Sequence, residues 1–223
     1  GLLGGREAPV PAAALPARVT VEILRPVPVA GLVLHARLVR PGRRVALAQA
    51  SLAPASAPDD PVMTAAIWLI RRAEGLPVPT TPRRSPPSQG QEQRELPGSW
   101  GGGYLQAVRW ELSEGSFASP GPATAWTRMR VPLLDTAPTS GVERAAVVAD
   151  AGSGISALAE PGSMVFVNTE ITLHLTHEPV GEDLWMDSQT TLDPSGIGHT
   201  HTVLGDRSGS VGTADQTLYV SPR

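Results

Sequence analysis

Cysteine and lysine are both absent from the 223 residues, and aromatic side chains make up only 4%. Without cysteine there is no disulfide framework, no zinc-thiolate site and no cysteine nucleophile. Without lysine there is no Schiff-base chemistry and no P-loop, and all 18 cationic side chains are arginines. They face 21 acidic residues for a net charge of −3, which leaves no basic excess to neutralise nucleic-acid phosphates. Long apolar runs are also missing. None nears the roughly 20 residues of a membrane span, and Gly1 to Gly5 has neither the charged nor the apolar block of a secretion signal. The reading is of a soluble chain with no nucleic-acid or membrane partner.

What is plentiful is punctuation, with 23 glycines and 23 prolines. The sharpest boundary is the polar, proline-rich run 74–99, read as a linker between an N-terminal domain 1–73 and a C-terminal domain 100–223. Before it, 18–24, 32–40, 45–52 and 62–71 are β-branched or alternating runs separated by proline and glycine turns, and read as four strands. After it, 104–112 and 123–131 read as two strands. Residues 139–150 read as a helix, with Thr139-Ser140 as cap-type residues, Glu143 in the early turns and a stripe of Val142, Ala146 and Ala149. Runs at 164–177, 184–192, 196–204 and 211–220 read as four closing strands.

The two four-strand blocks superpose. A shift of 152 sets Thr20 on Thr172, Leu32 on Leu184 and Leu52 on Leu204; a shift of 149 sets Val62 on Val211 and Leu69 on Leu218. Shared turn positions and strand lengths carry the repeat, since identity is low. The second half has two strands and a helix before its block, where the first offers only Gly1 to Pro16. The N-terminal half is therefore expected to be incomplete.

The stretches Ala17 to Pro28 and Val39 to Val45, with Gly101-Gly102-Gly103-Tyr104 and Gly121 to Trp126, resemble the actinobacterial acyl-CoA thioesterase-like family, similar to the bacterial acyl-CoA thioesterase II type. The resemblance implies an α+β double hotdog, with antiparallel sheets each wrapped around a central helix. It implies hydrolysis of an acyl-CoA thioester without a cofactor, in a cytoplasmic homodimer or larger even homo-oligomer. It also implies an Asp, a Thr and a Gln that hold and activate water, carried by motif position onto Glu170, Thr191 and Gln216. Glu170 departs from the family's Asp by one methylene. Under the repeat these three fall on Arg18, Val39 and Ile67, so one live seam per chain is expected. The alternatives are a non-catalytic acyl-CoA-binding hotdog protein, which the Glu-for-Asp exchange favours, and a hotdog hydratase or dehydratase.

Read on their own, a carboxylate can serve as general base while a hydroxyl and a carboxamide fix a water. Gly152 and Gly154 present backbone N–H groups to a substrate carbonyl if the helix runs on past them, and otherwise form a C-cap. Asp150 beside them reads as a second carboxylate or a helix-end turn. Ser153 lacks the G-x-S-x-G pattern of a nucleophile elbow. His199 and His201 share a strand face, but no third ligand has a suitable spacing, so no metal is expected. The triple glycine 101–103 precedes a strand and lacks the helix of a phosphate loop.

Overall fold

The computed structural model describes residues 10–73, 75–93, 103–160 and 162–223. They form two compact units that divide between Thr80 and Thr81. Gly1 to Pro9, Glu74, Arg94 to Gly102 and Pro161 lie outside the described residues.

The first unit is an antiparallel sheet of β1 (Ala14–Ile23), β2 (Leu32–Arg40), β3 (Val45–Pro54) and β4 (Met63–Arg71), in the order β2-β3-β4-β1. Strict alternation gives it one apolar face, with Leu34, Ala36 and Leu38 on β2 and Val19, Val21 and Ile23 on β1. Its hairpin at Pro41-Gly42 needs glycine, because a Cβ at Gly42 would lie 2.4 Å from the Val45 carbonyl oxygen.

The second unit adds β5 (Gln91–Glu92), α1 (Tyr104–Ala107), β6 (Val108–Ser116), β7 (Ser119–Met129), α2 (Gly141–Ala149) and α3 (Gly152–Ile155). It closes with β8 (Met164–Asn168), β9 (Glu170–Leu175), β10 (Asp183–Leu192), β11 (Ile197–Asp206) and β12 (Gly209–Pro222). Its antiparallel order is β9-β12-β11-β10-β7-β6-β5, with β8 and β9 in series along one edge of β12.

The repeat is present in the strand registers. Val21 pairs Ala65 as Leu173 pairs Ala214, Ala46 pairs Leu69 as Gly198 pairs Leu218, and Leu34 pairs Leu52 as Met186 pairs Leu204. These are the shifts of 152 and 149 found in the sequence. Both units therefore use the same strand order and register, with the three-residue difference in the loop before the last strand.

Helix α2 starts at a capping box. Ser140 Oγ accepts the Glu143 N–H at 3.2 Å while Glu143 Oε2 accepts the Ser140 N–H at 2.6 Å. Its buried residues are Gly141, Ala145, Val148 and Ala149, so of the expected stripe Ala149 is buried while Val142 and Ala146 are half-buried. A Cβ at Gly141 would come within 2.0 Å of the Pro179 oxygen. Two strand expectations also change. Residues 104–107 form a helical turn, and 164–177 is interrupted at Thr169, whose N–H bonds the Thr217 carbonyl.

The core of this unit centres on Trp110 and Trp185, both essentially sealed from solvent. Each indole N–H finds a carbonyl, of Leu105 at 3.0 Å and Asp206 at 2.9 Å. The Trp185 ring lies directly on the Gly205 backbone, where a Cβ would sit 2.1 Å from it. Within the run expected as a linker, residues 81–93 belong to this unit. Arg83 donates to Asp206, Gly209 and Ser210, Arg84 stacks over Trp185, and the Pro87 carbonyl accepts the Trp126 N–H.

Asp183, buried at the start of β10, accepts from Arg128 Nε at 2.6 Å and Arg207 Nη2 at 2.5 Å. The Arg128 hydrogen bond, aided by Arg207 and opposed by burial, holds its pKa at about 2. A depressed carboxylate stabilises the fold above the ordinary value of 3.8, and that contribution is lost as pH falls toward about 2. Asp183→Asn should therefore lower stability at pH 7 by about 2 kcal/mol, with the gap to wild type closing near pH 2. Denaturant melts across that pH range measure it, and a pH-independent gap would contradict the assignment.

Candidate active site

In the second unit the sheet meets α2 and α3 through side chains of alternating residues on its inner face: Ser188 and Thr190 on β10, Thr200 and Thr202 on β11, and Gln216 on β12. All five are buried. Thr200 and Gln216 are register partners. The matching residues of the first unit are Ala36, Leu38, Ala48, Ala50 and Ile67, so a polar seam in one unit corresponds to an apolar face in the other.

The polar groups have specific partners. The helix breaks between α2 and α3, where Asp150 and Ala151 keep right-handed helical angles, and the break leaves backbone groups facing the sheet. Gln216 meets them with both ends of its carboxamide: Oε1 accepts the Ser153 N–H at 2.9 Å, and Nε2 donates to the Asp150 carbonyl at 3.3 Å. Gly152 is what allows this approach. A Cβ there would lie 2.6 Å from Thr202 Oγ1 and 3.0 Å from Gln216 Oε1.

Behind Gln216 runs a row of hydroxyls whose protons can be assigned. Ser156 Oγ donates to the Gly152 carbonyl at 2.8 Å, since a carbonyl only accepts. Its single proton is thereby committed, so in the 2.8 Å contact with Thr190 it is Thr190 that donates. Thr190 must then accept in its 2.7 Å contact with Thr200. The direction is Thr200 to Thr190 to Ser156 to Gly152. Ser188 and Thr202 form a separate pair at 2.9 Å.

Asp150 stands at the C-terminal end of α2 with an exposed edge, yet the protein around its carboxylate raises its pKa above the ordinary value through desolvation. Opposing this, Asn168 Nδ2 donates to Asp150 Oδ1 at 3.3 Å. Tyr104 donates its hydroxyl to the Val147 carbonyl at 2.6 Å, and its pKa is raised by burial and then by the charge of Asp150. Asp150, Asn168 and Gln216 thus meet at the helix break, with Thr169 adjoining.

The residues expected from the sequence are divided between the faces of the sheet. Gln216 points to the helices. Glu170 pairs beside Thr217 on the outer face, where its Oε1 accepts the Thr217 N–H at 3.0 Å and Oγ1–H at 3.1 Å, and its Oε2 accepts from Thr172 at 2.9 Å. Thr191 is exposed opposite His199, in the same cross-strand row as Thr217 and Glu170. Its neighbour Thr190 faces the helices instead. Gly154 lies in α3 with its N–H bonded to the Ala151 carbonyl, and Gly152 is packed under Thr202 and Gln216. His199 Nε2 and His201 Nδ1 both meet Asp215 Oδ1, at 3.0 and 2.9 Å. No three His, Cys, Asp or Glu among the described residues are grouped so as to hold a metal ion. A cavity of about 590 Å³ lies on the polar face of the first unit's sheet, lined by Glu22, His35, Arg37, Gln49 and Ser51 and by no residue of the second unit.

Strand order, repeated registers and a helix seated on the second sheet define a double hotdog protein of the α+β class. The acyl-CoA thioesterase C-terminal domain family matches residues 82–220 and the N-terminal domain family matches residues 5–70, so the chain belongs to the acyl-CoA thioesterase family. Among solved structures it is similar to the tesB protein of Mycobacterium avium subs paratuberculosis, with TM-score 0.67 and 15% identity over 95% of this chain and 80% of that one. It is also similar to acyl-CoA thioesterase II TesB2 from Mycobacterium marinum, with TM-score 0.69 and 15% identity over 96% and 83%. A hot dog fold protein from Alicyclobacillus acidocaldarius gives TM-score 0.69 and 18% identity over 99% and 82%. No curated protein matches the chain. At these identities the structural likeness speaks to the fold.

The assigned hydroxyl order makes two substitutions unequal. Thr200→Val removes only the first donor and leaves each remaining proton of the row bonded. Ser156→Ala strands one hydroxyl proton in a buried site, so it should destabilise the protein by about 1 kcal/mol more. Urea unfolding of both variants decides it; equal losses would mean the order is wrong.

Proposed function

We propose that the chain hydrolyses an acyl-CoA thioester at the helix break of its second unit, with Asp150 as the general base. The observation that carries this reading is geometric: the Asp150 carboxylate stands at the helix break of the unit whose seam is polar, its Oδ1 held by Asn168 at 3.3 Å and its backbone carbonyl by Gln216, and desolvation shifts its pKa upward. A base with its pKa lifted toward the working pH takes up a proton more readily than an ordinary carboxylate, which suits removal of a proton from water. Asp150 takes the proton, the water oxygen attacks the thioester carbonyl, and the C–S bond breaks. The free acid and the CoA thiol leave, the thiol carrying the proton that Asp150 accepted. Membership in the acyl-CoA thioesterase family supports this chemistry, and the apolar equivalents in the first unit support a single such site per chain.

In this proposal Gln216 orients the helix break, and Glu170 and Thr191 stand outside the reacting groups because they face the other side of the sheet. Release of CoA thiol from a panel of acyl-CoAs, short, long and aryl-acetyl, is the test. Asp150→Asn should reduce turnover of the best substrate by about 100-fold or more while the protein stays folded, and Glu170→Ala should leave it within a few-fold. The acid limb of the wild-type rate profile should lie above the ordinary carboxylate range, with turnover falling as Asp150 is protonated. Saturable acyl-CoA binding with no turnover across the panel would overturn the proposal and support a binding protein.

A further inference from the structure

We propose that Asn168 is a positioning residue for Asp150, holding the carboxylate in the orientation and charge state in which it accepts a proton; this rests on the hydrolytic reading above. The placement begins with the strand break. Strand β8 ends at Asn168 opposite Leu218, and Leu218 is buried on the helix side of β12. One residue on, the Thr169 N–H and hydroxyl both bond the Thr217 carbonyl, at 3.0 and 3.3 Å, and the chain resumes as β9. The interruption fixes the direction of the preceding residue. It delivers the Asn168 amide to the end of α2, where Nδ2 donates to Asp150 Oδ1 at 3.3 Å.

Asp150 is then held at both its ends by carboxamides from different strands: its backbone carbonyl by Gln216 of β12 and its side chain by Asn168 of β8. The division of labour is chemical. Gln216 meets a group that does not titrate, so it positions the main chain. Asn168 meets the carboxylate itself, and a donor to the charged form favours that form, in opposition to desolvation. The titratable side chain facing Asp150 from a neighbouring element is Tyr104 of α1, which remains protonated; Asn168 and Gln216 are neutral. Asn168 is therefore the amide that counters the desolvation of Asp150. The matching residue of the first unit is Pro16, opposite Leu69, which has no side-chain donor.

The experiment reads the Asp150 carboxyl directly, by its carbon-13 resonance across a pH titration of the full chain, beside the pH profile of CoA release. In Asn168→Ala the Asp150 midpoint should rise by about half a pH unit or more, the acid limb of turnover should rise with it, and the plateau at higher pH should fall several-fold as the carboxylate loses its fixed orientation. Asn168→Asp, nearly identical in shape, places a second carboxylate against the first. Its Asp150 midpoint should rise further, and the pair should titrate in two coupled steps. An Asp150 midpoint unmoved in both variants overturns the role of Asn168. A moved midpoint with turnover that survives Asp150→Asn retains the Asn168 contact and removes Asp150 as the base, so the two failures are separable.

Discussion

A helix that stops and restarts against a sheet exposes backbone groups where water cannot reach them, and the second unit depends on how that exposure is resolved. The break between α2 and α3 presents the Asp150 carbonyl and the Ser153 N–H to β12, and a single buried carboxamide, Gln216, satisfies both. An apolar residue there would leave a donor and an acceptor unpaired, at a free-energy loss of about 1–3 kcal/mol each. The glycine at 152 follows from the same constraint, because the carboxamide reaches the break only where no Cβ intervenes. The position of Asp150 follows in turn, since it is the residue whose carbonyl is held.

The two units share a scaffold and differ in the side chains it carries. Their strand order and registers coincide over the four shared strands, so the geometry of the sheet does not distinguish them. What differs is the inner face, where Leu38, Ala48, Ala50 and Ile67 stand in for Thr190, Thr200, Thr202 and Gln216. A β-sheet tolerates this because its backbone ladder is indifferent to which side chains fill one face. A hydroxyl row is retained only where each proton has a partner, and the second unit meets that condition through Ser156 and the Gly152 carbonyl.

Elements that depend on local pattern were legible in the sequence: the four-strand blocks, a helix opening on Thr139-Ser140 with Glu143 in its early turns, and the offsets of the repeat. Those that depend on which way one residue points were not. Thr190 and Thr191 are adjacent and chemically identical, and a slip of one position exchanges the buried face for the exposed one. The same alternation sets Glu170 outward, where Thr172 and Thr217 saturate its oxygens. The interruption at Thr169 carries no proline or glycine to announce it, and without it the approach of Asn168 to Asp150 is invisible. Asp215 joins His199 and His201 only through pairing of β11 with β12, which no spacing along the chain encodes. Proline content marked 74–99 as a tether, while Arg83 and Arg84 pack residues 81–93 into the second unit through partners more than 100 residues away.

A file of hydroxyls behind a carboxylate resembles a route for conducting protons, and its far end decides against that use. Conduction requires every oxygen in the file to release one proton, take up another and then turn back to its starting orientation. The Gly152 carbonyl has no proton to give, so the file from Thr200 through Thr190 and Ser156 has one orientation and ends in a peptide group. Its O–H dipoles point the same way and reinforce one another, with their lone-pair end at Thr200. The file is a fixed electrostatic strut between sheet and helix, and protons exchanged at Asp150 must come and go through the solvent-facing side of the helix break.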